Sequence, residues 1–140
     1  MLRRDFILKL IEQFAKDIAR LLDSDFEKEP EKFIDSFEAL LKSYYKIDSG
    51  APEELCLPDD ARDVLLLDEK MKNPQLRFFA TAGIAFLQKG ENHKAAVCMQ
   101  IIDRIQDFHQ NLFEFPHQES QLTADKIQEF RFLLEAFQKD

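Results

Sequence analysis

The chain has 140 residues, 45% of them hydrophobic, and its 14 Phe, 3 Gly and 5 Pro give ample core material with few breakers. That composition excludes a disordered or fibrous chain and predicts one all-α domain spanning residues 1–140. A formal net charge of −8, from 27 acidic and 19 basic residues, makes an acidic surface that repels phosphate backbones and anionic lipid, so neither nucleic acid nor a membrane is expected as a partner.

The first predicted helix is the stretch from Arg3 to Asp25, with Asp5 as its N-cap and Phe6, Leu10, Phe14, Ile18 and Leu21 returning at helical spacing. Ile7, Ile11, Ala15 and Leu22 widen that stripe beyond what one neighbour needs, which points to a second neighbour or a second subunit. Arg3-Arg4 would suit a secretory leader, but Asp5, Lys9 and Glu12 interrupt the apolar run such a leader requires. With no apolar stretch of membrane-spanning length, a cytoplasmic protein is the expectation.

Pro30 suits the first turn of a second helix whose stripe is Phe33, Phe37, Leu40, Leu41 and Tyr44, ending near Tyr45. The segment from Lys46 to Ala61 carries Gly50, Pro52 and Pro58 and reads as the longest loop, either functional or held down by its own Leu55, Cys56 and Leu57. A short third helix, capped by Asp59 or Asp60, is predicted to run to a stop at Asn73-Pro74, with Pro74 restarting the chain as the first residue of the fourth helix. The fourth and fifth helices occupy 74–90 and 91–113, and Thr123 is the predicted cap of a last helix carrying Ile127, Phe130, Leu133, Leu134 and Phe137. About six helices with mostly short connections imply antiparallel helical hairpins, either an array or a compact bundle.

The hairpin between Phe79 and Ile102 has a distinct pattern. Ala82, Gly83 and Ala85 are small where a neighbouring backbone would approach, Phe79 and Phe86 are large on either side, and Gly90 supplies the turn. Ala95, Met99 and Ile102 are the corresponding positions of the second helix. Phe79, Gly83, Phe86, Gly90, Ala95, Met99 and Ile102 together resemble one tetratricopeptide repeat. Met99 stands where the family has an aromatic, Ile102 where it has a small residue, and its proline is missing near Asp107. The resemblance spans about a quarter of the chain and implies a right-handed array of hairpins that binds partner peptides on the face of its first helices. The opening stretch, Leu2 to Leu22, also resembles the start of an uncharacterised family of small helical bacterial proteins, which implies no activity.

The face that the repeat resemblance assigns to partner binding comprises Arg77, Ala80, Ile84, Leu87 and Gln88. Its apolar middle predicts a groove that something fills: the first or last helix of the same chain, then a second copy, then a foreign amphipathic helix.

Residues of chemical interest are few. Glu114 and His117 have the spacing of a helical carboxylate–histidine metal pair, but Pro116 lies between them and no second pair exists, so no metal is expected. His93 reads as solvated and His109 as partly buried. Cys98 lies among apolar residues and reads as structural, while Cys56 in its loop is the more reactive candidate, with acidic neighbours that disfavour a thiolate. Phosphate-binding loops, nucleophile elbows and dinucleotide fingerprints are absent. The expectation is therefore a module without catalytic residues or cofactor that binds a protein partner, most readily itself. The rival is an enzyme or small-ligand protein drawing polar groups from Tyr44, Tyr45, Cys56 or His109 in a pocket between Phe-rich helices.

Overall fold

The structure, a computed structural model, describes residues 2–24 and 28–138. The elements are α1 (Leu2–Leu22), α2 (Pro30–Tyr45), α3 (Asp60–Leu66), α4 (Lys72–Gln88), α5 (Asn92–Phe108) and α6 (Gln118–Gln138). Short 3-10 turns at Pro52–Cys56 and Glu69–Met71 flank α3. The protein is all-α, six helices packed as a compact bundle with antiparallel contacts, and no strand occurs among the described residues. No described helix is long and apolar enough to cross a membrane.

The centre of the bundle is α4. From Gln75 to Leu87 every residue except Arg77 is buried, because α1, α2, α5 and α6 all pack on this one helix. A helix apolar all round has to be enclosed on every side. Its Phe78, Phe79 and Phe86 surround Phe37 of α2 at ring separations of 4.8, 5.8 and 5.9 Å, and Phe14 of α1 meets Phe78 at 6.1 Å. These aromatic contacts join three helices that are remote in sequence.

The turn after α4 is set by Gly90. Its φ of +77° lets Gly90 N–H bond to Leu87 O at 3.0 Å and Glu91 N–H to Phe86 O at 2.9 Å, a Schellman closure of the helix. The chain then reverses into α5. α6 returns in the same sense as α4: Arg77 pairs with Glu119 near the start of both, and Phe130 covers Gly83 further along both.

Several boundaries differ from the sequence expectation. α1 already begins at Leu2, so Asp5 lies in its first turn, where it complements the helix dipole, and is not its cap. Phe6, the first of the predicted stripe, is exposed, and among the described side chains of α1 the buried ones are Ile11, Phe14 and Ile18. The third helix breaks at Leu67 rather than at Asn73-Pro74. Asp68 accepts a bond from Lys70 N–H at 2.8 Å to start the next turn, and α4 begins at Lys72. Pro74 therefore sits inside the first turn of α4, where its missing N–H has no intrahelical partner to lose. Asp59 caps α3 by accepting Arg62 N–H at 2.9 Å. In the Lys46 to Pro58 loop, Ile47 and Leu55 are the buried anchors and Leu57 is exposed.

The last helix starts at Gln118, and Thr123 lies inside it, donating its hydroxyl to Glu119 O at 2.9 Å. The cap is His117. Its Nδ1 accepts Ser120 N–H at 3.2 Å while Ser120 Oγ accepts His117 N–H at 3.0 Å, a reciprocal capping box built from unusual residue types.

Candidate functional site

The face assigned to partner binding is not an open groove. Ala80, Ile84 and Leu87 are 0%, 4% and 3% exposed, Arg77 is half-buried with a guanidinium N–H reaching Glu119 of α6, and only Gln88 is open to solvent. With α6 lying along α4, the chain buries that face itself, and the residues expected to bind a partner belong to the core. The hairpin pattern places Gly83 at an approach between α4 and α5. A Cβ built there would meet the ring of Phe130, so the close approach is to α6.

Apolar side chains stay open elsewhere, Phe6, Leu57 and Phe132 among them, and three gather in sequence at the far end of α5. Phe108, Phe113 and Phe115 are 62%, 75% and 76% exposed and fall within eight consecutive residues. The rings of Phe113 and Phe115 meet edge to face at 4.8 Å, and Phe108 stands edge-on to His109 at 5.0 Å. Glu114, between the two outer rings, points the opposite way. Its carboxylate accepts from Lys72 Nζ and Asn73 Nδ2 of α4, each at 3.1 Å, and lies 3.1 Å from His117 Nε2. Because His117 Nδ1 accepts from Ser120, Nε2 is the nitrogen that carries the proton toward Glu114. The Asn73 bond, reinforced by Lys72, holds the Glu114 carboxyl below the usual carboxylate range despite partial desolvation.

This arrangement inverts the ordinary rule, with the acid turned toward the protein and the phenylalanines toward water. Burying a Phe side chain is worth roughly 1.5–3 kcal/mol, so the hydrophobic effect alone would turn the segment over. Charge-assisted bonds from the start of α4 oppose that and fix the rings outward. Beneath the loop, His109 is 8% exposed with Nε2 unpartnered, and burial, with Lys72 acting in the same sense, pushes its pKa below the ordinary value. It is neutral at pH 7 and packs as a core residue.

Glu114 and His117, spaced like a metal pair, come within 3.1 Å of each other as a charge contact. Among the described residues no group of three or more His, Cys, Asp or Glu is placed to hold a metal ion. His93 is exposed at the start of α5.

The polar groups considered for chemistry are tied up separately. Tyr44 hydroxyl donates to Asp17, and Tyr45 hydroxyl donates to Gln75, whose amide in turn donates to Leu65 O and Leu66 O at 2.9 and 3.0 Å. The two tyrosines line a small cleft with Asp59 and Arg62, but their hydroxyls and the Asp59 carboxylate all bond within the fold. Cys56 faces Val97 O at 4.0 Å, and burial raises the pKa of both Cys56 and Cys98, leaving two protonated thiols at neutral pH.

Comparisons of the chain with family models, with curated proteins and with solved structures found no match in any of the three. The aromatic loop escaped the sequence reading because the sequence expectation carries the fifth helix on to Phe113, whereas α5 ends at Phe108. The available signal was Phe-Glu-Phe-Pro, two large apolar residues alternating around one acid next to a breaker.

Proposed function

We propose that this chain is a cytoplasmic, non-catalytic protein–protein interaction or scaffolding module that associates with copies of itself. The observation that carries the reading is the exposure of Phe113 and Phe115 on a loop whose acid is held inward, with Phe108 exposed at the end of α5 before it. Two exposed rings in mutual contact on one short loop, with a third at the helix end before it, make a candidate contact surface. The rival reading, a catalytic or small-ligand pocket, would draw on Tyr44, Tyr45, Cys56 and His109. Their separate engagements favour association over chemistry.

The finer reading, a single repeat-like hairpin, is supported by the Gly90 closure between α4 and α5 and by α6 running beside α4 in the same sense, as the first helix of a following repeat would. In such an array the face of α4 expected to receive a peptide is occupied by α6, so binding passes to the outer surface.

The test is the solution mass by light scattering after size exclusion, across a dilution series. The expected result is a dimer that dissociates on dilution. A monomer up to millimolar chain concentration would refute self-association.

A further inference from the structure

We infer that His109 is a pH-sensitive latch for the segment 109–117: as a neutral ring it seats the end of α5 in the core, and as an imidazolium it leaves that seat and loosens the loop behind it. Such a latch works in a monomer and does not depend on self-association.

The usual order of burial is reversed here. α5 ends at Phe108, whose ring is 62% exposed, while the next residue, His109, turns its ring inward and is 8% exposed. The backbone holds it there: His109 N–H bonds back to Ile105 O and Gln106 O, each at 3.2 Å, and His109 O accepts Leu112 N–H at 2.9 Å to begin the loop. Any shift of His109 therefore moves the first turn of the loop with it. Buried imidazole nitrogens ordinarily find partners, but His109 Nε2 is enclosed and without a hydrogen-bond partner among the described residues. A neutral ring tolerates that, since the loss is one hydrogen bond. A protonated ring places a full charge in the interior with no acceptor at Nε2, and burying an unpaired charge costs far more than burying an unpaired polar atom.

The charges around the ring come from three elements. Asp68 and Glu69 belong to the 3-10 turn before α4, Lys72 to the start of α4 and Glu114 to the loop itself. The three carboxylates favour an imidazolium, but none accepts a bond from Nε2, and Lys72, already a cation, opposes a second one. Desolvation is the largest effect and Lys72 adds to it, so the folded His109 takes its proton at lower pH than a free imidazole does. The open segment consequently binds the proton more tightly than the closed one. Stability of the closed segment is complete above about pH 6.5, the ordinary imidazole value, and is lost as pH falls from there toward the folded value. Glu114 stays ionised through that window, because its carboxyl is held below the usual range, so loosening starts at His109 and not at the Glu114 anchor.

At the far end of the segment His117 is a second imidazole, facing Glu114, with Nδ1 accepting Ser120 N–H. Protonation there removes the cap acceptor and adds a charge opposite Glu114, two effects of opposite sign, so substitution has to separate it from His109.

Hydrogen exchange of the His109 and Leu112 amides in the full chain tests the latch at about pH 7.5 and about pH 5.5, either side of the ordinary imidazole value, with rates corrected for intrinsic exchange. Wild type would be compared with His109→Met, which fills the space without titrating, and with His117→Asn, which can cap a helix at any pH. Wild-type protection should fall on acidification by up to about tenfold, the most that a group with an ordinary value of about 6.5 can give one unit below it. His117→Asn should keep that fall, and His109→Met should lose it. Should His109→Met fail to fold, NMR titration of the His109 ring in wild type decides: it must titrate below the free imidazole value, with the loss of protection following the same curve. Wild-type protection indifferent to pH, a fall that survives His109→Met or vanishes in His117→Asn, or a ring that titrates at or above the free value overturns the latch.

Discussion

The ring of Phe130 lies directly against the backbone of Gly83: a Cβ built on that glycine would sit 2.1 Å from Cζ and 2.5 and 2.6 Å from the two Cε atoms. Phe130 is fully buried, so its ring has little room to retreat. Overpacking of this kind costs about 1–3 kcal/mol, more than the ~1 kcal/mol gained by replacing glycine with alanine in a helix. Gly83→Ala should therefore lower stability in urea titration. Combined with Phe130→Leu, which removes the offending ring atoms, the loss should be smaller than the sum of the two single losses. A Gly83→Ala chain more stable than wild type would mean that α6 does not pack here.

Arg104 fastens α5 to α3. It grips both carboxylate oxygens of Asp63, Nη1 to Oδ1 at 2.9 Å and Nη2 to Oδ2 at 2.6 Å, and also reaches Leu55 O at 3.3 Å. The Arg104 hydrogen bond holds the Asp63 carboxyl below its ordinary value. A carboxyl depressed in the folded state contributes stability that is present above its unfolded pKa of about 4 and is lost as pH falls through the folded value. Asp63→Asn should cost on the order of 2 kcal/mol at pH 7. The gap from wild type should narrow when unfolding is measured at acid pH, and a gap that stays constant would show that the pair contributes nothing through its charge.

Lys46, which ends α2, adopts φ 58° and ψ 38°, the left-handed conformation in which a side chain bears a steric cost. The next residue imposes that geometry: Ile47, fully buried, has to turn inward, and its N–H lies 3.4 Å from Leu41 O. Glycine suits this position, so Lys46→Gly should raise stability by about 0.5–1 kcal/mol. Chemical denaturation midpoints would reveal it. A decrease would imply that the Lys46 side chain makes a contact worth more than the backbone strain it carries.

How much of this fold was legible in the sequence depends on the range of each interaction. The bounds of α2 could be read from Pro30 and the Phe33–Phe37–Leu41 spacing, and the α4–α5 turn from Gly90, because periodicity and a positive φ are local properties that neighbouring residues determine. The identity of the partner at Gly83 could not be read. A missing side chain signals that something comes close, and Phe130, 47 residues later, fills the gap as readily as a residue of α5 would. The same holds for Ala80, Ile84 and Leu87, which a repeat-like pattern assigns to a binding face and α6 converts to core.

The candidate site was decided entirely by tertiary structure. Read alone, Phe113-Glu114-Phe115 says that the rings turn in and the acid turns out. Lys72 and Asn73, some 40 residues earlier, reverse it by offering Glu114 two donors at the start of α4, and His117 with Ser120 takes over the capping that Thr123 seemed to provide. Composition and periodicity determined that this chain is a bundle of helices with more apolar surface than one core requires. Only packing determined which of that surface stays outside, because a side chain's direction depends on the partners the fold brings to it.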